Sequence, residues 1–277
     1  MVPSSGPVRK AVILAAGMGT RMKKADATAG GLAPEQSRAA DAGLKAMIPF
    51  ERPFLDYVLT PLCDAGIEQV CLVVAPGHAE IRNYYNQPGI TRRLKISFAV
   101  QDPPRGTADA VLAAEDFVGQ DGFLLLNSDN YYPAEAAKLL CGLTSPGVVV
   151  YPREVLLEHS NIPADRIGKY AVVKVSADDR LEGMIEKPTE EQLRSLPQPI
   201  LISMNSWRFD PQIFAACRGL ALSPRGELEL PDAVLRSSRE FGVSYLVRRC
   251  GQAVFDLSSR SDIAPVAALL RGKQVRI

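Results

Sequence analysis

The chain has 277 residues, 47% of them hydrophobic and 23% charged, and its 32 Lys plus Arg against 31 Asp plus Glu leave a formal net charge of +1. That length suits one large or two small domains with a core that needs no cross-links, and the composition excludes the disordered and fibrous extremes. A balance this close to zero argues against binding nucleic acid or an anionic membrane through the overall field, while a local cationic pocket for a small phosphorylated ligand stays open.

The opening MVPSSGPVRK has no apolar stretch of the kind a secretory leader needs, and the run 11–16 is too short to span a bilayer. Cys63, Cys71, Cys141, Cys217 and Cys250 are widely spaced and form no C-x-x-C pair, which suggests neither zinc nor a redox motif, but buried or half-buried thiols in a reducing compartment. A soluble cytoplasmic protein is expected.

Short apolar runs rich in β-branched residues predict strands at 11–14, 70–74, 96–100 and 123–126; between them, 54–63 and 107–117 carry apolar residues at helical spacing. The alternation predicts a parallel sheet covered on both faces, with ligands bound beyond the carboxyl ends of its strands. Further on, 148–151, 170–175, 181–186 and 200–209 read as strands with fewer helices between them, predicted as antiparallel additions that form a second lobe over the ligand edge. Helical patterns return at 211–217, 231–241 and 261–271, the first two opening with a proline, which is tolerated in a first turn. The segment between Lys24 and Lys45, ADATAGGLAPEQSRAADAG, has almost no large apolar side chain and reads as a mobile loop or a short lid helix.

Directly after the first strand stands Ala15-Ala16-Gly17-Met18-Gly19-Thr20-Arg21-Met22. Glycines there let backbone N–H groups approach phosphate oxygens, and Arg21 adds a forked, permanent cation. The pattern is not G-x-x-x-x-G-K-[ST], and it lacks the third glycine of the dinucleotide fingerprint. His78 and His159, the only histidines, read as surface loop residues, and Trp207 as core or pocket wall. No basic patch interleaved with aromatics is present.

L-A-A-G-x-G-T-R-M resembles the opening signature of the sugar-1-phosphate nucleotidylyltransferases, in particular the glucose-1-phosphate thymidylyl- and uridylyltransferase group. The resemblance continues in order through Lys45 with Ile48-Pro49-Phe50, the stretch 53–59, Gln101-x-x-Pro104-x-Gly106-Thr107-Ala108, Asn127-Ser128-Asp129-Asn130, Glu186-Lys187-Pro188 and Arg225-Gly226-Glu227-Leu228-Glu229-Leu230-Pro231-Asp232, covering roughly 10–260. It implies a Rossmann-like three-layer α/β fold, a mostly parallel mixed sheet with an antiparallel sugar-binding extension. It also implies one nucleotidyltransferase domain over 1–277, with a nucleotide-binding half at about 10–150 and a sugar-binding half at about 151–260 followed by C-terminal helices.

The reaction so implied belongs to nucleotide-sugar biosynthesis: an oxygen of a sugar 1-phosphate attacks the α-phosphorus of an NTP, UTP or dTTP, and displaces pyrophosphate. Bringing anionic groups together calls for cations and oriented N–H donors rather than a protein nucleophile. By resemblance, Arg21, Lys45, Asp129 and Lys187 are catalytic. Leu14, Ala15, Ala16, Gly17, Gly19, Thr20, Gln101, Gly106 and Thr107 bind nucleotide. Ala171, Glu186, Lys187 and Asn205 bind the sugar phosphate, and Asp129 with Asp256 holds Mg2+, a hard cation that takes one or two carboxylates plus phosphate oxygens.

Several readings stay open on the residues themselves. Asp129 also fits a turn or capping residue, Glu186 and Lys187 a solvated pair at a strand end, and Thr107 the N-cap of the next helix. Ala171 stands where the related Y-G-V-V segment has Gly, a methyl group expected to narrow the sugar subsite, and Leu44 stands where a Pro usually precedes the Lys. Cytidylyl transfer to a non-sugar phosphate such as phosphocholine and a non-catalytic nucleotide-sugar sensor are the alternatives; a dinucleotide-dependent oxidoreductase is more distant. No hexapeptide repeat follows Asp256, so a single activity is expected, with homo-oligomer formation left open.

Overall fold

The structure, a computed structural model, describes residues 6–26 and 30–277; the first five residues of the opening segment and 27–29 of the segment before Lys45 lie outside the described residues. Aliphatic side chains fill both faces of the leading strands. In β1 (Lys10–Ala15), Ala11 and Ile13 join one core and Val12 the other; in β2 (Gln69–Val74), Leu72 and Cys71 divide the same way. With β3 (Lys95–Val100) and β4 (Phe123–Asn127) they form a parallel set in the order β4-β1-β2-β3. The chain leaves β1 toward β2 and β3 on one side and returns to β4 on the other, so the loops after β1 and β4 diverge and open a crevice at the carboxyl edge.

The remaining strands are β5 (Asn130–Tyr131), β6 (Gly147–Pro152), β7 (Ala171–Val175), β8 (Leu181–Ile185), β9 (Leu201–Phe209), β10 (Leu246–Arg249) and β11 (Phe255–Asp256). The main sheet runs β10-β6-β9-β4-β1-β2-β3, with the β7–β8 hairpin attached through β9, and β5 pairs with β11 in a separate ribbon. One expectation is corrected here. The strand predicted at 148–151 is not an antiparallel addition: both β4 and β6 run antiparallel to β9, so β6 continues the parallel direction of β4. Its GVVVY run is buried throughout, as a two-face-covered strand requires. The reversal is confined to β9 and to β8, since β7 pairs antiparallel with both.

The helices are α1 (Thr20–Lys23), α2 (Pro34–Ala42), α3 (Phe54–Asp64), α4 (Ala79–Tyr85), α5 (Thr107–Ala113), α6 (Glu115–Val118) and α7 (Ala134–Cys141), then α8 (Arg153–His159), α9 (Ala164–Ile167), α10 (Glu190–Ser195), α11 (Gln212–Arg218), α12 (Leu230–Phe241) and α13 (Ile263–Leu270). Helices α3, α4, α7 and α13 cover one face, while α5, α11 and α12 cover the other. The helix predicted at 107–117 is broken at Ala114, whose N–H bonds Val111 O in a tightened turn before α6 begins. Trp207 is fully buried, stacked 5.4 Å from Phe209, and so belongs to the core. All five thiols are unpaired, Cys141 being half-buried and the others buried. Among the described residues no helix is long and apolar enough to cross a membrane.

Helix α3 carries an unusual polar centre. Asp56 is fully buried and accepts from Tyr84 Oη and Tyr85 Oη at 2.7 Å and from Arg52 Nε at 2.8 Å. Three donors keep the carboxylate satisfied in a place where an unpaired charge would be prohibitive. This cluster ties α3 to the last turn of α4.

Candidate active site

The glycine-rich loop is shaped by a second glycine from the segment before Lys45. Gly19 has φ +60 and Gly43, which ends α2, has φ +75; a Cβ on Gly19 would lie 2.2 Å from Gly43 O, and one on Gly43 would lie 2.7 Å from Met18 O. Backbone therefore packs on backbone, a contact only glycine permits. The segment thus contains a helix, α2, docked against the loop through its C-terminal glycine. At Gly17, by contrast, a Cβ would meet nothing within 4 Å.

Beyond the carboxyl ends of β1 and β4 lies a cavity of about 500 Å3. Leu14, Ala15, Ala16, Gly17 and Thr20 line it from the loop, and Lys45, Asp129 and Asn205 contribute polar groups. Lys45 Nζ donates to Asp129 Oδ2 at 2.9 Å, with the two side chains 15% and 27% exposed, so both charges are partly withdrawn from water yet still reachable. His78 also lines this cavity, which corrects its reading as a surface loop residue: it is half-buried, and its Nδ1 donates to Ala15 O at 3.0 Å. Burial, with Arg82 and Lys23 nearby, pushes its pKa down. His159 is exposed, as expected, but ends α8 instead of lying in a loop.

Gln101, Gly106 and Thr107 form another part of the wall. Gly106 has φ +118, and a Cβ there would lie 2.5 Å from Leu228 O, so its glycine is required by the 225–232 segment packed against it. Thr107 does not cap its own helix; the capping position is Gly106, and Thr107 Oγ1 instead accepts from Leu230 N at 2.9 Å, at the start of α12. The two segments are thereby fastened together, and Glu227 reaches the cavity lining, a residue to which the sequence reading gave no role.

Asn205 arrives by a bulge. The β6–β9 register jumps between Val149–Ser206 and Val150–Ser203, and Asn205 has φ +53, a conformation Asn tolerates better than most residues. Lys187, just past β8, has φ +47 and is exposed beside Glu186, with which it lies outside the lining of the cavity. Ala171 is buried in the β7–β9 ladder opposite Ser203 and does not line the cavity either.

Arg21 is exposed and faces a second cavity of about 290 Å3, with Lys24, Arg166 and Lys169 on its walls. The β5–β11 ribbon sets Asp256 opposite Asn130, next to Asp129, and Leu257 N donates to Asp129 O at 2.8 Å. Asp256 is 2% exposed. Its Oδ1 accepts from Asn130 Nδ2 at 3.1 Å and Ser258 Oγ at 2.9 Å, and its Oδ2 from Arg166 Nη1 at 3.0 Å. Burial and the neighbouring Asp129 push this carboxyl up, against the pull of Arg166. Arg166 also holds Asp262 at 2.9 Å. Asp129 thus offers a reachable carboxylate, whereas the oxygens of Asp256 are engaged by the protein's own donors.

A mostly parallel three-layer sheet with a glycine loop after its first strand, and a lysine–aspartate pair where its central loops diverge, defines an α/β protein of the nucleotide-binding type. The family model described as nucleotidyl transferase matches residues 40–250, and the chain belongs to that family. Among curated relatives, a bifunctional protein GlmU of Methanococcus vannielii is 28% identical over 239 residues, covering 84% of this chain and 49% of the relative. UTP–glucose-1-phosphate uridylyltransferase YngB of Bacillus subtilis is 26% identical over 260 residues, covering 84% and 80% respectively. The chain spans about half the length of the GlmU relatives it matches. A UDP-glucose pyrophosphorylase structure complexed with UDP-glucose superposes with a TM-score of 0.73 at 18% identity, covering 96% of this chain and 100% of the other, which shows the shared fold.

Proposed function

We propose that the protein transfers a nucleotidyl group from UTP or dTTP to a sugar 1-phosphate, yielding a sugar nucleotide and pyrophosphate. The observation that carries this reading is the Lys45–Asp129 pair in the wall of the cavity that the glycine loop opens. Relatives named for uridylyl and thymidylyl transfer to glucose 1-phosphate support the substrate class.

In this reading an oxygen of the sugar phosphate bonds to the α-phosphorus while the bond from that phosphorus to the bridging oxygen of the leaving pyrophosphate breaks. Lys45 neutralises charge that grows on the phosphates, the loop N–H groups of residues 16–20 orient them, and Gln101 meets the base. The cavity around Arg21, whose four cations outnumber Asp26 and Asp165 on its walls, suits the pyrophosphate end, and Glu186, Lys187 and Asn205 take the sugar phosphate. The two halves, about 10–150 and 151–260, then serve nucleotide and sugar within one domain.

Magnesium fits at Asp129, a hard oxygen ligand on the cavity wall, since Mg2+ needs only one or two carboxylates beside phosphate oxygens. When bound there it would supply charge neutralisation to the triphosphate. Asp256 fits the part less well, its oxygens being held by Arg166, Asn130 and Ser258; its role here is to hold the ribbon that presents Asp129.

Incubating the protein with Mg2+ and either pooled sugar 1-phosphates or phosphocholine, and with UTP, dTTP or CTP in turn, is expected to release pyrophosphate from the sugar 1-phosphates with UTP or dTTP. Release only from CTP with phosphocholine supports the cytidylyl alternative, and binding of a sugar nucleotide with no release in any arm supports a sensor.

A further inference from the structure

Gln101 is 4% exposed and lines the cavity, yet its amide is not free to turn. Its Nε2 donates to Gly106 O at 2.9 Å and to Asp109 Oδ2 at 2.9 Å. A backbone carbonyl and a carboxylate both only accept, so the atom between them must be the nitrogen; the flipped amide would set oxygen against two oxygens. Asp109, 8% exposed in the first turn of α5, is fixed in its turn by Arg105, whose Nη2 and Nε donate to Oδ1 at 2.7 and 3.2 Å. Both amide hydrogens are thereby used within the protein. What Gln101 retains for a ligand is its oxygen, an acceptor, with no protein partner among the described residues.

We propose that Asp109 is a positioning residue for base selection: by fixing the Gln101 amide, it makes this part of the cavity an acceptor that takes a base whose ring edge carries an N–H. The inference rests on the nucleotide-transfer reading above. Uracil and thymine present such a donor at N3, whereas the N3 of cytosine carries a lone pair and would face the Gln101 oxygen acceptor to acceptor. An amide free to turn would serve either edge, so the discrimination lies in the clamp rather than in the glutamine alone. The two residues stand eight positions apart, one just past β3 and one in α5, and Gly106 between them makes the turn that brings them together.

The test is equilibrium titration of UTP and CTP into the purified full-length protein, Asp109→Ala and Asp109→Asn, read as the ratio of the two dissociation constants. The native protein is expected to favour UTP, and Asp109→Ala to shrink that preference by about tenfold, the order set by one buried hydrogen bond. Asp109→Asn keeps an oxygen that Gln101 can still reach, and is expected to retain more of the preference than Ala. A general loss of structure would weaken both nucleotides alike and leave the ratio unmoved; an unchanged ratio in a folded Asp109→Ala protein, which has no acceptor at that position for the Gln101 amide, overturns the clamp. If Asp109→Ala does not fold, Asp109→Leu, which also lacks an acceptor but fills the space, is measured in its place, and the full native ratio in that folded protein decides against the clamp. Equal native affinity for CTP and UTP overturns the acceptor assignment, and a native protein that binds neither overturns the nucleotide reading itself.

Discussion

Lys45 Nζ stands 2.9 Å from Asp129 Oδ2, joining the short turn after α2 to the end of β4 across 84 residues of sequence. The pair lies in the cavity wall, where partial burial strengthens it and a phosphate can still compete for the lysine. Replacing Lys45 with Met removes the cation without adding charge. Turnover is expected to fall by about 100-fold or more, the scale of losing one preorganised electrostatic contact, while far-ultraviolet circular dichroism stays native. A folded Lys45→Met protein with near-native kcat contradicts the assignment.

The contact between Gly19 and Gly43 separates a glycine that the fold requires from one that it does not. Gly19→Ala forces a side chain into φ +60 and to 2.2 Å from Gly43 O. The left-handed backbone alone costs about 1–2 kcal/mol, and each kcal/mol lowers the melting temperature by roughly 2–4 °C in a chain of this size. A drop of several degrees is therefore expected for Gly19→Ala. Gly17→Ala, whose Cβ meets nothing within 4 Å, is expected to melt like the native protein and to bind nucleotide more weakly. Equal melting temperatures for Gly19→Ala and Gly17→Ala contradict the packing argument.

His78 supplies a pH dependence of defined sign. Its folded pKa lies below the ordinary value of 6.5, chiefly through burial. The unfolded chain therefore takes up the proton first as pH falls. The stability contributed by neutral His78 is complete above about pH 6.5 and is lost as pH drops through the folded pKa. Chemical-denaturation midpoints measured from pH 8 to 5 are expected to fall in the acid part of that range, and His78→Asn is expected to flatten the fall. An unaltered profile in the variant removes His78 from the account.

Asp56 is a structural charge in the first turn of α3. Substitution by Ala leaves Arg52 without the carboxylate and the hydroxyls of Tyr84 and Tyr85 without their acceptor. Arg52 is 39% exposed and can turn to water, so the loss comes chiefly from the tyrosine hydroxyls left without an acceptor, about 1–3 kcal/mol each, measured as the change in unfolding free energy in urea. A loss below about 1 kcal/mol is too small for a buried hydroxyl left without its acceptor, and contradicts the reading of Asp56 as the group that holds the cluster.

The leading strands were legible as short apolar runs, rich in β-branched residues in β1 and β2 and in leucine in β4, and mostly buried in all but β3, which is half-buried; each of the four begins or ends within one residue of its predicted limits. Strands β5 and β11 have two residues each and exist through their pairing with each other, so no local pattern announces them. The direction of β6 was misread because a buried valine run looks the same in a parallel or an antiparallel neighbourhood. Of the residues singled out in sequence, Leu14, Ala15, Ala16, Gly17, Thr20, Lys45, Gln101, Gly106, Thr107, Asp129 and Asn205 line one cavity, whereas Gly19 is packed on Gly43 and Arg21 faces the second cavity. His78 was missed because the only signal for it is its position shortly after a parallel strand. The clamp on Gln101 and the engagement of Asp256 by Arg166 depend on three-dimensional contacts that spacing does not reveal.

The central claim is that a sugar phosphate attacks the α-phosphorus of a nucleoside triphosphate in this cavity. The most direct measurement follows a radioactive phosphorus in the sugar 1-phosphate after incubation with unlabelled UTP or dTTP and Mg2+. The account predicts that the label appears in the diphosphate of a sugar nucleotide while the released pyrophosphate stays unlabelled. Label in pyrophosphate, or none transferred from any sugar 1-phosphate supplied, contradicts it.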